Sequence, residues 1–113
     1  MRLGVDIGGT KIDTVIVDDA GHVLHRHVRP TGFGPEAVLA NVREAAGAVC
    51  SAAGIEPSQA KSIGVGVPGS VVDGVVTYAQ NLGVTRLDLA RELTATWEVR
   101  PTVDNDVNAA AVG

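Results

Sequence analysis

The chain has little of several things that commonly carry function or stability. It holds one cysteine, Cys50, so no internal disulfide can form, and that usage fits a reducing compartment. Only Phe33, Tyr78 and Trp97 are aromatic, so the core must be built from Val, Leu, Ile and Ala. Lys and Arg number 9 against 13 Asp and Glu, a net charge of −4, and the basic residues do not cluster. A nucleic-acid surface is therefore not expected. No apolar run approaches membrane-spanning length, and no charged segment followed by an apolar stretch opens the chain. Neither a membrane span nor a signal peptide is expected, and the expectation is a soluble, cytoplasmic domain. At 113 residues it is large enough to bury one core.

What the chain does have is glycine, and its placement is informative. The 14 glycines are too many for a helical bundle and too scattered for a low-complexity tract. Two of them sit in Leu3-Gly4-Val5-Asp6-Ile7-Gly8-Gly9-Thr10-Lys11. Leu3, Val5 and Ile7 alternate as a strand with one buried face does, so Asp6 points away from that face. Gly8 and Gly9 permit a sharp turn and a close approach of backbone N–H groups to a ligand. Thr14-Val15-Ile16-Val17 follows as a second strand. The pattern is neither a Walker loop nor Gly-x-Gly-x-x-Gly, since both of those lead into a helix.

Such a turn suits a nucleotide phosphate with a metal ion. Asp6 can hold Mg²⁺ directly or through water, because that ion prefers oxygen ligands and keeps several waters. The Thr10 hydroxyl and the turn amides can donate to phosphate oxygens, and Lys11 adds a positive charge. The plain alternative is a tight hairpin with a solvated Asp6.

Further along, Asp18-Asp19-Ala20-Gly21 reads as a turn and His22 to Val28 as a third strand. Of His22, His25 and His27, the last two share one face of that strand, but no Cys or close carboxylate completes a tetrahedral zinc site, and a solvated hairpin face is the simpler reading. Residues 30–35 form a loop whose two glycines and two prolines suggest a mobile edge. From Glu36 to Ala53 the apolar positions recur at helical spacing, Cys50 among them, and Gly54 ends the run. Ile63 to Val67 predicts a central or parallel strand buried on both sides. Val71 to Val76 predicts a hairpin around Asp73-Gly74. Tyr78 to Thr85 reads as loop, Leu87 to Trp97 as a helix with Trp97 in the core, and Pro101 to Val103 as a short strand. Val107 to Ala111 reads as the start of a third helix.

Three loops then follow strand ends and are rich in small polar residues: Pro68-Gly69-Ser70, Ala79-Gln80-Asn81-Leu82-Gly83 and Asp104-Asn105-Asp106. Ligands of α/β sheets bind where strand C-termini open into loops. Hydroxyl, amide and carboxylate groups with little apolar bulk are the lining expected for a polyol such as a sugar. For Asp104-Asn105-Asp106 alone, a helix N-cap with solvated neighbours is the plain alternative.

Together these segments resemble the N-terminal lobe of the ROK family (repressors, open reading frames and sugar kinases). The resemblance rests on Asp6-Ile7-Gly8-Gly9-Thr10-Lys11, Gly66-Val67-Pro68-Gly69, Asn81-Leu82-Gly83 and Asn105-Asp106-Val107-Asn108-Ala109-Ala110-Ala111, and it covers residues 1–113. It implies an α/β fold of the actin-like ATPase, ribonuclease H-like type, a mixed five-stranded sheet with flanking helices forming one lobe of a two-lobed kinase. It implies that Asp6, Gly8, Gly9, Thr10 and Lys11 bind ATP, with Mg²⁺ near Asp6 through water. It further implies Asp106 as catalytic base, and Gly69, Asn81, Asn105 and Asp106 as sugar-binding residues. The implied reaction moves the γ-phosphoryl of MgATP to a hexose hydroxyl, foremost the 6-hydroxyl of glucose. Zinc, the adenosine pocket and the second phosphate motif would belong to a second lobe, and the complete protein would be a homo-oligomer. The lobe alone is expected to be inactive. Many family kinases carry a Trp shortly after Asn-Leu, where this chain has Gly83-Val84-Thr85, which leaves the sugar open; the choice of ATP or polyphosphate is separately open. The alternative within the family is a sugar-sensing transcriptional regulator lacking its DNA-binding segment.

Overall fold

The computed structural model describes residues 1–105. The third helix expected over 107–111 and the expected base, Asp106, lie outside the described residues. Strands β1 (Arg2–Ile7), β2 (Lys11–Val17) and β3 (Val23–Pro30) form an antiparallel meander. Leu3, Val5 and Ile7 of β1 and Ile12, Thr14 and Ile16 of β2 turn to one face and are buried there. Burying each large aliphatic side chain stabilises the fold by about 1.5–3 kcal/mol. Thr14 is the polar exception, and its hydroxyl is satisfied by donating to the His27 carbonyl at 3.0 Å. Asp18 closes the β2–β3 turn, its carboxylate accepting from the amides of His22 at 2.8 Å and Ala20 at 3.0 Å. The His22 amide bond chiefly holds the Asp18 carboxyl below its ordinary pKa.

Helix α1 (Pro35–Ala52) starts with proline in its first turn, where a missing N–H costs nothing, and with Glu36 beside the positive helix end. Its buried stripe is Val38, Val42, Ala45, Ala46, Val49 and Cys50. Gly54, at φ +73°, takes the left-handed conformation that ends it. Cys50 is fully buried, and burial, assisted by the charge of Glu56, pushes its thiol pKa up. The native protein should therefore react slowly with a thiol reagent at pH 8 and promptly once unfolded in guanidinium. Fast native labelling would show that α1 is not packed as described.

After a 3₁₀ turn at Pro57–Gln59 come β4 (Ile63–Val67), the hairpin β5 (Ser70–Val72) and β6 (Val75–Tyr78), a 3₁₀ turn at Gln80–Leu82, α2 (Leu89–Trp97) and β7 (Thr102–Asn105). The expected Asp73-Gly74 turn is present, both residues at positive φ (51° and 81°). The Gly74 carbonyl accepts from Ala90 N–H at 3.1 Å, which ties the hairpin to the start of α2. Asp88 caps that helix, accepting from the Arg91 amide at 3.1 Å, and Trp97 is buried in the core as expected. Arg43 of α1 donates to the Thr96 hydroxyl at 2.8 Å and so joins the two helices.

The sheet order is β3-β2-β1-β4-β7, with β1, β4 and β7 parallel. The mixed five-stranded sheet and the central, parallel place of β4 agree with the sequence reading. Its burial does not fully agree. Gly64 is exposed, because among the described residues the helical cover lies on one face of the sheet only. A groove of about 810 Å³ runs along the other face and is lined by Asp6, Gly64, Gly66 and Asp104 among others.

Candidate functional site

Because β1, β4 and β7 are parallel neighbours, their carboxyl ends, Ile7, Val67 and Asn105, lie along one edge of the sheet. The Gly8–Thr10 turn and Pro68-Gly69 leave that edge side by side, next to Asn105 at the end of β7. The register places Asp6 opposite Gly66 and Gly66 opposite Asp104, so the two carboxylates share one row on either side of a bare glycine. On its other side Asp6 pairs with Asp13. Arg26 engages Asp13, donating from Nε to Oδ1 at 2.9 Å, and this hydrogen bond and the carboxylate charge raise the guanidinium pKa further. Asp6 is exposed and forms no ion pair among the described residues, which fits a carboxylate that meets a hydrated cation.

The β1–β2 turn differs in one respect from the expectation that all of its amides face a ligand. The Gly8 amide donates to the Lys11 carbonyl at 2.8 Å and closes the turn. A Cβ on Gly8 would lie 2.8 Å from that oxygen, so only glycine fits. The amides of Gly9 and Thr10 are the ones left without a partner among the described residues. The side chains of Thr10 and Lys11 are exposed beside them.

Residues from the second half of the chain meet this turn. A Cβ on Gly9 would lie 3.5 Å from the Asn81 Cβ and 3.9 Å from its Nδ2, so the Asn81 side chain lies beside the turn with room for a methyl group between them. Asn81 itself is exposed. Gly69 has a packing reason to be glycine: a Cβ there would overlap the Tyr78 carbonyl oxygen and stand 2.9 Å from the Ala79 Cβ. Asn105 ends β7 half-buried, its amide donating to the Asp104 carboxylate at 2.9 Å. Asp6, Gly8, Gly9, Thr10, Lys11 and Asn81 are thus brought together, Gly69 and Asn105 emerge on the same edge, and Asp106 lies beyond the described residues.

Sequence reading missed what holds the turn from behind. Thr31, in the loop expected to be mobile, is fully buried and hydrogen-bonded. Its partners on the turn, Gly8 and Thr10, are more than twenty residues away, so no local pattern signals them. Nearby, the Phe33 ring lies over Gly83, which is left-handed at φ +68°, and the Gly34 amide donates to the Leu82 carbonyl at 2.7 Å. The 31–34 loop is therefore fastened to the turn at one end and to the Asn81 loop at the other. Among the described residues no group of three His, Cys, Asp or Glu side chains is placed to ligate a metal. No described helix is long and apolar enough to cross a membrane.

The glucokinase of Streptomyces coelicolor is 33% identical over 115 residues, covering 100% of this chain and 35% of that protein. A ROK family glucokinase from Streptomyces griseus, solved in complex with glucose and AMPPNP, superposes with a TM-score of 0.85 at 29% identity. That match covers 97% of this chain and 34% of the other. The ROK hexokinase of Thermus thermophilus superposes at 0.84 with 33% identity, covering 98% of this chain and 36% of the other. This chain therefore spans about a third of the length of its relatives, and its fold is the actin-like ATPase fold of the ROK sugar kinases. The ROK family profile matches residues 2–113, and the chain belongs to that family.

Proposed function

We propose that this chain is the N-terminal lobe of a two-lobed, cytoplasmic, homo-oligomeric sugar kinase. It would pass the γ-phosphoryl of MgATP to a hexose hydroxyl, glucose and its 6-hydroxyl foremost. The observation that carries the reading is the placement of Asn81 beside Gly9, which sets a sugar-type carboxamide next to a phosphate-type turn. The glucokinase relatives, and the glucose and AMPPNP held by the Streptomyces griseus structure, support the choice of substrate pair.

On this reading, the amides of Gly9 and Thr10, the Thr10 hydroxyl and the Lys11 ammonium face the phosphates. Asp6 would hold Mg²⁺ through water, and its exposed, cation-free carboxylate fits that role. When bound, the ion offsets negative charge on the phosphates. Asn81 and Asn105 orient the sugar, with Gly69 close by, and Asp106 accepts the hydroxyl proton. Little covalent work falls to the protein in a loose phosphoryl-transfer transition state, so positioning and electrostatics carry the rate.

The test is a coupled assay on the full-length protein with MgATP and a panel of sugars. Sugar-dependent ADP release with glucose preferred is the expected result. No turnover with any sugar would overturn the kinase reading in favour of a sugar-sensing regulator.

A further inference from the structure

Thr31 makes two hydrogen bonds to the donor-side turn and receives a third from helix α1. Its hydroxyl donates to the Gly8 carbonyl at 2.8 Å, and its amide donates to the Thr10 carbonyl at 3.1 Å. Its own carbonyl accepts from Asn41 Nδ2 at 3.0 Å, and Asn41 belongs to α1. The Gly8 amide is already committed to Lys11. Both polar groups of Gly8 and the carbonyl of Thr10 are thus tied down, while the amides of Gly9 and Thr10 stay unpartnered among the described residues. A Gly-Gly turn left to itself samples many conformations, since glycine adopts either sign of φ. Pinning the Gly8 and Thr10 carbonyls from behind restricts those conformations while the Gly9 and Thr10 amides keep no protein partner among the described residues.

We propose that Thr31, braced by Asn41, is a positioning residue that preorganises the Gly8–Thr10 turn for the phosphates of the donor nucleotide. The proposal rests on the donor-binding reading of that turn given above. Thr31 touches no ligand on this account. It acts by removing conformations of the turn that would otherwise be given up on binding. A side chain with only a packing role would be replaced equally well by isosteric valine. The positioning role requires the hydroxyl.

The test uses the full-length protein with MgATP and glucose, together with AMPPNP titration calorimetry. Thr31→Val should raise KM for MgATP and Kd for AMPPNP about tenfold, with KM for glucose changed by less than about twofold. Thr31→Ser, which keeps the hydroxyl, should restore donor affinity to within about threefold of the parent. Asn41→Ala should shift donor affinity in the same direction by less, and it carries the test if the valine variant does not fold. Unchanged donor affinity in Thr31→Val would overturn the proposal, as would a serine variant as weak as the valine one. An equal rise in KM for both substrates would also overturn it, because a merely structural loss spreads to both. A parent protein that binds no AMPPNP and turns over no sugar would instead remove the donor reading on which the proposal stands. A parent that binds AMPPNP, with a valine variant indistinguishable from it, would remove only the role of Thr31.

Discussion

Asp106→Asn in the full-length protein should lower turnover by about 10²–10⁴-fold, the range in which a positioned general base contributes. The sugar should still bind, because a carboxamide of nearly the same shape keeps hydrogen-bonding capacity at that position. The physical reason lies in the proton. On the proposed kinase reading the attacking hydroxyl must shed it as the new bond to phosphorus forms, and an amide has no basic oxygen of useful strength to take it. Stopped-flow or coupled assays give turnover, and calorimetry with glucose gives binding. Turnover within about tenfold of the parent would remove Asp106 from the role of base. Loss of glucose binding with little change in turnover would do the same.

Gly69→Ala should destabilise the protein by about 2–3 kcal/mol, in the range of overpacked interiors. The added Cβ would overlap the Tyr78 carbonyl oxygen and press on Ala79, and the obstacles are backbone at the end of β6 and the buried Ala79 just after it rather than a long side chain that could swing away. The shift has to be taken up by the backbone that carries the Pro68-Gly69 loop. A lowered denaturant midpoint at unchanged slope is the expected reading. An unchanged midpoint with weakened glucose binding would assign Gly69 to ligand contact instead of packing.

These two residues mark the limits of sequence reading from opposite sides. Asp106 was proposed from the motif it stands in, and its structural setting lies outside the described residues. Gly69 was legible as a member of a motif, but its reason to be glycine comes from Tyr78 and Ala79, across the β5–β6 hairpin.

Much of the fold was legible because it is encoded locally. The alternation of Leu3, Val5 and Ile7, the helical spacing of Val38 through Cys50, and the Asp73-Gly74 turn each carry their signal within a few residues. Strand ends moved by a residue or two, as at Lys11 and Pro30, because ladder pairing extends strands past the last apolar position. The candidate site was legible as a set of motifs for the same reason, since Asp6 through Lys11 form one continuous stretch.

What only the tertiary structure decided depends on contacts between distant parts of the chain. The parallel register of β1, β4 and β7 aligns three strand ends on one edge, and no local pattern states which strands will be neighbours. Packing places Asn81 against Gly9 across seventy-odd residues of sequence. The commitment of the Gly8 amide to Lys11 removes one donor that composition alone would have offered to a ligand. Thr31 shows the same division most clearly. Its sequence setting, between prolines and glycines, suggests mobility, yet folding buries it and fastens it to Gly8, Thr10 and Asn41. Buried polar groups find partners wherever the fold brings them, and sequence distance does not limit that search.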